Sequence, residues 1–293
     1  MFADAYEKVS GFTHPVIIST RHFDGTIQCG CGAFVVVNNE GWILTAEHIV
    51  RSFLLFQQHA QEINQYKEQI KSIEKSSSLN SKQKRKKISK LKPNFKWITN
   101  HSFWWGRDGL ALHGNILGFP DGDLVVGRLS PYDPTMTKIY PVFKDPKSLR
   151  LGTSLCKLGF PFHEITATFD EVTNTFQLAP GTLPLPRFPI EGIYTRNLEI
   201  KKSPDSQAVA KFLETSSPGL RGQSGGPIFD INGTVWGIQS HTRHFLLGFS
   251  PKVKKNGKEV EENQFLNVGL GAHPESIVSF LSKNNITFTL SDY

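Results

Sequence analysis

Apolar residues fall in short blocks along most of this chain, each rich in β-branched or aromatic side chains. Glycine, proline or asparagine separates one block from the next. Ala33–Val37, Gly41–Thr45, Leu124–Leu129, Ser154–Gly159, Pro227–Asp230 and Thr234–Ser240 are such blocks. Side chains of this kind suit a pleated, half-buried surface, and regularly spaced turn residues suit a sandwich or a barrel. The pattern predicts a mostly β fold.

One segment departs from this rhythm. From about Ile49 to Lys92 the turn residues give way to glutamine, lysine and glutamate. Ile63, Tyr66, Ile70 and Ile73 recur at three- and four-residue steps, which is one face of a helix. Residues 76–81 interrupt the pattern, and a second basic stretch follows with Ile88 and Leu91 three apart. We read a helical hairpin inserted over about 52–95, its second helix capped by Ser78, Asn80 or Ser81. Near the end of the chain, Ile277, Phe280 and Leu281 stand at helical spacing behind Pro274, which predicts a terminal helix over about 274–284.

Composition narrows the classes. With 38% hydrophobic and 20% charged residues in 293, the chain has the balance of an ordinary globular protein with one two-lobed domain or two small ones. No run of 18 apolar residues could cross a membrane as a helix, and residues 1–20 lack the basic start and apolar stretch of a secretory signal. Cys29, Cys31 and Cys156 are too few for a disulfide framework, and Cys29 and Cys31 would point to opposite faces of a strand. These features favour a cytoplasmic protein with no membrane partner.

The net charge of +7 is local. Residues 57–97 hold eleven Lys/Arg against three acids, an excess of eight, so the rest of the chain is nearly neutral. Three roles fit the basic hairpin: a solvated excursion, a docking arm for a regulatory protein, or a phosphate-binding surface for nucleic acid. It has no interleaved aromatics for stacking on single strands. His241 and His244 lie three apart but have no acidic or thiol neighbour in sequence, so they read as loop residues and no metal or other cofactor is expected. Trp104 and Trp105 read as packing aromatics.

The candidate chemistry lies in Arg221-Gly222-Gln223-Ser224-Gly225-Gly226-Pro227. Glycines on both sides of a serine suit a plain turn, and they equally suit a catalytic one. Their conformational freedom would let the amides of Gly222 and Ser224 converge on a carbonyl oxygen that becomes negative during acyl transfer. A serine nucleophile needs a base, and the base needs an orienting acceptor. His48 closes the strand-like run Gly41–Ala46, a rigid place for a base. Asp123, at the head of Leu124–Leu129, is the leading acceptor, with Asp108 as the competing candidate.

In these blocks the chain resembles the trypsin-like (chymotrypsin-fold) serine peptidases, in particular the bacterial cytoplasmic and HtrA-like branch. The order His, Asp, Ser is theirs. Their glycine-flanked entry strand stands at Gly30–Val36, their histidine block at Leu44–His48 and their aspartate block at Asp123–Val126. Their middle turn stands at Leu158–Pro161, their serine block at Gly222–Pro227, and the strand after it at Val235–Ser240. The resemblance implies two packed six-stranded β-barrels, one over about 15–140 and interrupted by the hairpin, the other over about 141–273, followed by the terminal helix. It implies that His48, Asp123 and Ser224 form a triad in the crevice between the barrels, with Gly222 and Ser224 as the oxyanion hole.

Two departures carry information. Gln223 replaces the aspartate that pairs with a new N-terminus in digestive trypsins, so activation by that route is not expected. Pro218 occupies the place, six residues before the serine, where trypsins carry the aspartate that selects lysine and arginine. The expected pocket walls, Pro218, Arg221, Ser240, His241 and Thr242, contain no acid; Arg221 and His241 would favour an acidic side chain, and a small or apolar one is an equal alternative. The leading reading is a serine endopeptidase acting on a protein substrate inside the cell under the control of a partner, with a bacterial stress or defence pathway as one extension. The alternative is a non-enzymatic adaptor that uses the peptidase fold as scaffold and the hairpin as binding arm.

Overall fold

The computed structural model describes residues 1–201 and 209–292. The first lobe contains β1 (Thr13–His22), β2 (Ile27–Val36), β3 (Trp42–Thr45), β4 (Ile98–Trp105), β5 (Ala111–Phe119) and β6 (Leu124–Ser130), hydrogen-bonded in the order β4-β1-β2-β3-β6-β5. All the pairings are antiparallel. Val16, Phe34, Val36, Ile43, Trp105 and Val125 bury together inside this sheet, as β-branched and aromatic strand residues with one inward face must.

The second lobe is a ring. Its strands are β8 (Ser154–Gly159), β11 (Phe188–Lys201), β12 (Val209–Thr215), β13 (Pro227–Phe229), β14 (Val235–Leu246) and β17 (Phe265–Ala272). They run in the order β13-β8-β11-β12-β17-β14 and close through a β13–β14 pairing. The two-residue strands β7 (Val142–Phe143) and β18 (Thr289–Leu290) extend this sheet outside the ring. Two hairpins, β9–β10 (Ala167–Asp170, Thr175–Leu178) and β15–β16 (Lys252–Lys255, Lys258–Glu261), form small sheets of their own. This is the chymotrypsin-like architecture the resemblance implies.

The largest core cluster joins the lobes. Val35, Leu44, Leu124 and Val126 of the first pack with Leu158, Phe229, Val235 and Ile238 of the second. Two helices seal it. α4 (Pro274–Lys283) contributes Ile277, Phe280 and Leu281. α1 (Ala3–Ser10), which the sequence pattern did not reveal, contributes Ala5 and Val9 one turn apart.

The inserted helices are α2 (Glu47–Lys75) and α3 (Ser81–Ile88). α2 begins at Glu47, earlier than the expected 52, and runs for 29 residues. Its first two thirds lie against β4 and the residues beside it: Ile63 is buried, Tyr66 meets Phe23 and Trp97 edge to face, and the Ile98 amide donates to His59 Nδ1 at 3.0 Å. Farther out, Ile70, Ile73, Ile88 and Leu91 are half-buried where α3 returns along α2. Of the three candidate caps, Asn80 starts α3, exchanging hydrogen bonds of 2.9 and 3.0 Å with Gln83.

Candidate active site

His48 sits in the first turn of α2 rather than at the end of a strand. The N-cap residue, Ala46, has no side chain that could satisfy the helix's first amides. Asp123 does so from across the lobe. Its carbonyl accepts from the Glu47 amide at 3.1 Å, and its Oδ1 accepts from the His48 amide at 3.0 Å. Asp123 adopts a left-handed conformation, φ +50°, between the tight turn Pro120–Gly122 and β6, a strained pose that aspartate tolerates better than most residues. That pose aims backbone and carboxylate together at the positive end of the helix.

The same carboxylate holds the ring. His48 Nδ1 donates to Asp123 Oδ2 at 2.8 Å, which leaves Nε2 as an acceptor toward the cleft. Burial pushes the Asp123 carboxyl upward. The hydrogen bond and charge of His48, the Ser240 hydroxyl and the His48 amide outweigh it, and Asp123 titrates below its ordinary value. Asp108 is elsewhere: it is exposed and accepts from Trp104 Nε1 at 2.6 Å.

Ser240 and His241, expected as pocket walls, also join this network. Ser240 Oγ donates to Asp123 Oδ2. Its only hydrogen is thereby used, so the 2.8 Å contact with His241 Nδ1 has the histidine as donor. His241 and His244 lie on β14, not in a loop, and His244 Nδ1 is 2.6 Å from Asn267 Oδ1.

The serine turn is stitched to both lobes. The Ala33 amide of β2 donates to Ser224 O at 2.7 Å, across the lobe boundary. Gly225 follows with φ +80°, and a Cβ there would stand 2.1 Å from both Ala33 O and Thr45 Oγ1. Gly222 has φ +98°, and a Cβ would stand 2.3 Å from Phe160 O. Only glycine meets both demands at either place. Between them Gln223 is wholly buried. Its Oε1 accepts from the Leu220 amide at 3.0 Å and its Nε2 donates to Phe188 O at 3.2 Å. Among the described residues, the amides of Gly222 and Ser224 have no acceptor. Ser224 Oγ donates to Ser240 O at 3.3 Å.

These groups share a cleft of about 570 Å³. Arg221, Ser240, His241 and Thr242 line it together with His48, Asp123 and Ser224, and Thr242 Oγ1 ties its two walls by donating to Gly219 O at 2.6 Å. Pro218 stands behind the wall instead of in it, its carbonyl turned to Lys157 Nζ at 2.9 Å. Arg51, also in the lining, was missed by sequence reasoning. It lies one turn from Glu47, which binds its guanidinium at 2.7 Å, and that four-residue spacing was the available signal. Burial holds the Cys31 thiol up at about 12 and the Cys156 thiol up at about 11, and all three cysteines are free.

Known proteins share this arrangement of strands. A variant of the HtrA-type protease AlgW with tripeptide superposes with a TM-score of 0.50 at 13% identity, covering 97% of this chain and 63% of that one. The Rv3671c protease from M. tuberculosis in its active form gives 0.50 at 11% identity, covering 98% and 86%. This chain therefore spans less than two thirds of the AlgW chain, and at such identities the likeness is one of fold. No curated protein matches the chain. Residues 31–238, well over half of the sequence, match the model of the trypsin-like peptidase domain, and the chain belongs to that family of serine peptidases.

Proposed function

We propose that the chain is a serine endopeptidase using Ser224, His48 and Asp123. The reading rests on one observation above all: the 2.8 Å bond from His48 Nδ1 to Asp123 Oδ2, in the cleft that also holds Ser224. Turning Ser224 Oγ away from the Ser240 carbonyl would bring its proton to His48 Nε2 as the oxygen attacks a peptide carbonyl. The Gly222 and Ser224 amides would hold the oxyanion, each worth about a hundredfold or more in rate. His48 would pass the proton to the leaving amine and then activate the water that frees the acyl-enzyme.

Gln223 supports a turn formed without proteolytic processing, since its side chain supplies the bonds that fix Leu220 and Phe188. A peptidase in the cytosol needs restraint. We propose a narrow substrate range and a regulatory protein docking on the basic hairpin, with a dedicated target in a bacterial stress or defence pathway as the setting.

A fluorophosphonate probe tests the chemistry. Adduct at Ser224 that is absent in Ser224→Ala and sharply reduced in His48→Ala is the expected result. An unlabelled, folded wild-type protein across pH 6 to 9 would overturn the reading and favour the adaptor.

A further inference from the structure

β8 sends one charged side chain into the second ring. Lys157 has no exposed surface, and its Nζ lies 3.0 Å from Thr215 Oγ1, 2.5 Å from Ser217 O and 2.9 Å from Pro218 O. Three donors meet three neutral oxygens, so the hydrogen bonds are satisfied and the charge is not. Among the described residues no carboxylate forms an ion pair with it. Burial pulls the ammonium down to about 7, with Cys156 opposing. A buried, unneutralised cation is costly, and an aliphatic side chain would fill the barrel with no such cost.

Its position suggests a use. Pro218, which it binds, leads directly into Gly219 of the cleft wall. Nζ also reaches Gly269 on β17, where a Cβ would stand 2.7 Å away. Gly269 pairs with Thr242, which lines the opposite wall and binds Gly219 O. The ammonium thus stands where the wall segments 217–221 and 240–242 come together. Arg221 adds positive charge to the cleft, while the Arg51 guanidinium is paired with Glu47. Of the acids lining it, Asp123 is committed to His48 and Ser240, and Asp121 lies in the tight turn before it.

Resting on the peptidase reading above, we propose that Lys157 is a specificity-determining residue that selects substrates with glutamate or aspartate as the residue whose carbonyl Ser224 attacks. The substrate carboxylate supplies the counter-charge that the ring lacks. One group pulls the other way: Gln239 Oε1 is buried in the same lining with no donor among the described residues, while Gln239 Nε2 is held by His241 O and Leu270 O. It would favour an amide side chain.

Peptides identical except for Glu or Gln at the cleavage position decide between the two, with Leu and Lys peptides alongside. For wild type, kcat/KM should favour Glu over Gln by about tenfold or more, the order of an opposite-charge attraction acting across the shielded cleft wall. In Lys157→Met the Glu/Gln ratio should fall to about one or below. A wild-type enzyme that cuts Gln, Leu or Lys peptides as well as Glu, or a ratio unchanged in Lys157→Met, overturns the proposal and leaves the peptidase reading standing. Failure to cut any peptide together with failure of Ser224 to label overturns both.

Should Lys157→Met not fold, the wild-type Glu/Gln ratio from pH 6.5 to 9 reads the same charge. The charged and titratable groups around the cleft and β8 are Arg51, Arg221, Glu191 and Cys156, and burial holds the Cys156 thiol up at about 11. His241 is pulled below its ordinary value by burial, and His48 acts alike on both peptides. A ratio that falls as pH rises supports Lys157, and a flat one overturns it.

Discussion

The Ser240 hydroxyl donates to Asp123 Oδ2, the oxygen that also holds His48 Nδ1. Two donors on one oxygen, and a helix amide on the other, leave Asp123 little freedom. Asp123→Asn would place an amide where three donors converge, which favours the wrong histidine tautomer. We predict a fall in kcat of about ten-thousandfold on a peptide substrate with the circular dichroism spectrum preserved. Ser240→Ala removes one donor of three, and its fall should be far smaller, about tenfold.

Gln223 predicts a different failure. Its side chain is buried and serves one amide and one carbonyl of separate segments. Gln223→Ala strands both groups, at a cost of about 2–4 kcal/mol. Because Leu220 and Gly222 lie within four residues of Ser224, the serine turn should loosen as well. Fluorophosphonate labelling should slow by more than tenfold, and the thermal midpoint should drop by several degrees.

The blocks that made the fold legible were those with local chemistry. Ala33–Val37 and Gly41–Thr45 announce strands by their own side chains, and Ile277, Phe280 and Leu281 announce a helix. The start of α2 was misplaced because Thr45-Ala46-Glu47-His48 contains no cap. The capping group is Asp123, 75 positions away in sequence, and no local pattern reveals it. α1 buries only Ala5 and Val9 fully, with Tyr6 half-buried beside them, too short a stripe to register. In the sequence, a lysine between Cys156 and Leu158 looks like the outward position of an alternating strand. In a closed ring whose interior contains Thr215 and two carbonyls, that position points inward.

Stability should decline with acid in a defined window. His14 is held down at about 4 by burial and the charge of Arg187, and His101 at about 4 by burial alone. His273 is held at about 4 by burial, aided by Lys211 and opposed by Glu275. In the unfolded chain each titrates near 6.5, so between about 6.5 and 4 the unfolded state binds protons that the folded state refuses. Stability conferred by the neutral rings is complete above 6.5 and is lost as pH falls through that window. Asp123, depressed below the ordinary carboxylate value, loses its contribution only at still lower pH. His273 Nδ1 accepts from the Glu275 amide at the start of α4, and asparagine can do the same without titrating. In urea unfolding from pH 7.5 to 4.5, His273→Asn should flatten the pH slope by up to about 1.4 kcal/mol per pH unit. An unchanged slope would show that this ring titrates normally.

The hairpin divides into a half that holds the site and a half that does not. His48 lies in the first turn of α2. Glu62, Ile63 and Tyr66 farther along the same helix fasten it to the first lobe, with Glu62 Oε2 accepting from Trp97 Nε1 at 2.5 Å. Among the described residues, the lysines of α3 and the last turns of α2 have no such ties to the barrel. Removing 57–92 outright would therefore take away packing that positions His48, whereas replacing 70–88 by a short glycine-serine linker should leave kcat/KM on small peptides within about threefold. Ile63→Ala should instead destabilise the protein by about 2–4 kcal/mol, the cost of a cavity beside β4. Peptide hydrolysis and thermal melts on the two variants separate the halves. If the linker variant folds yet loses activity on a small peptide, the outer half is part of the catalytic unit and not an arm for partners.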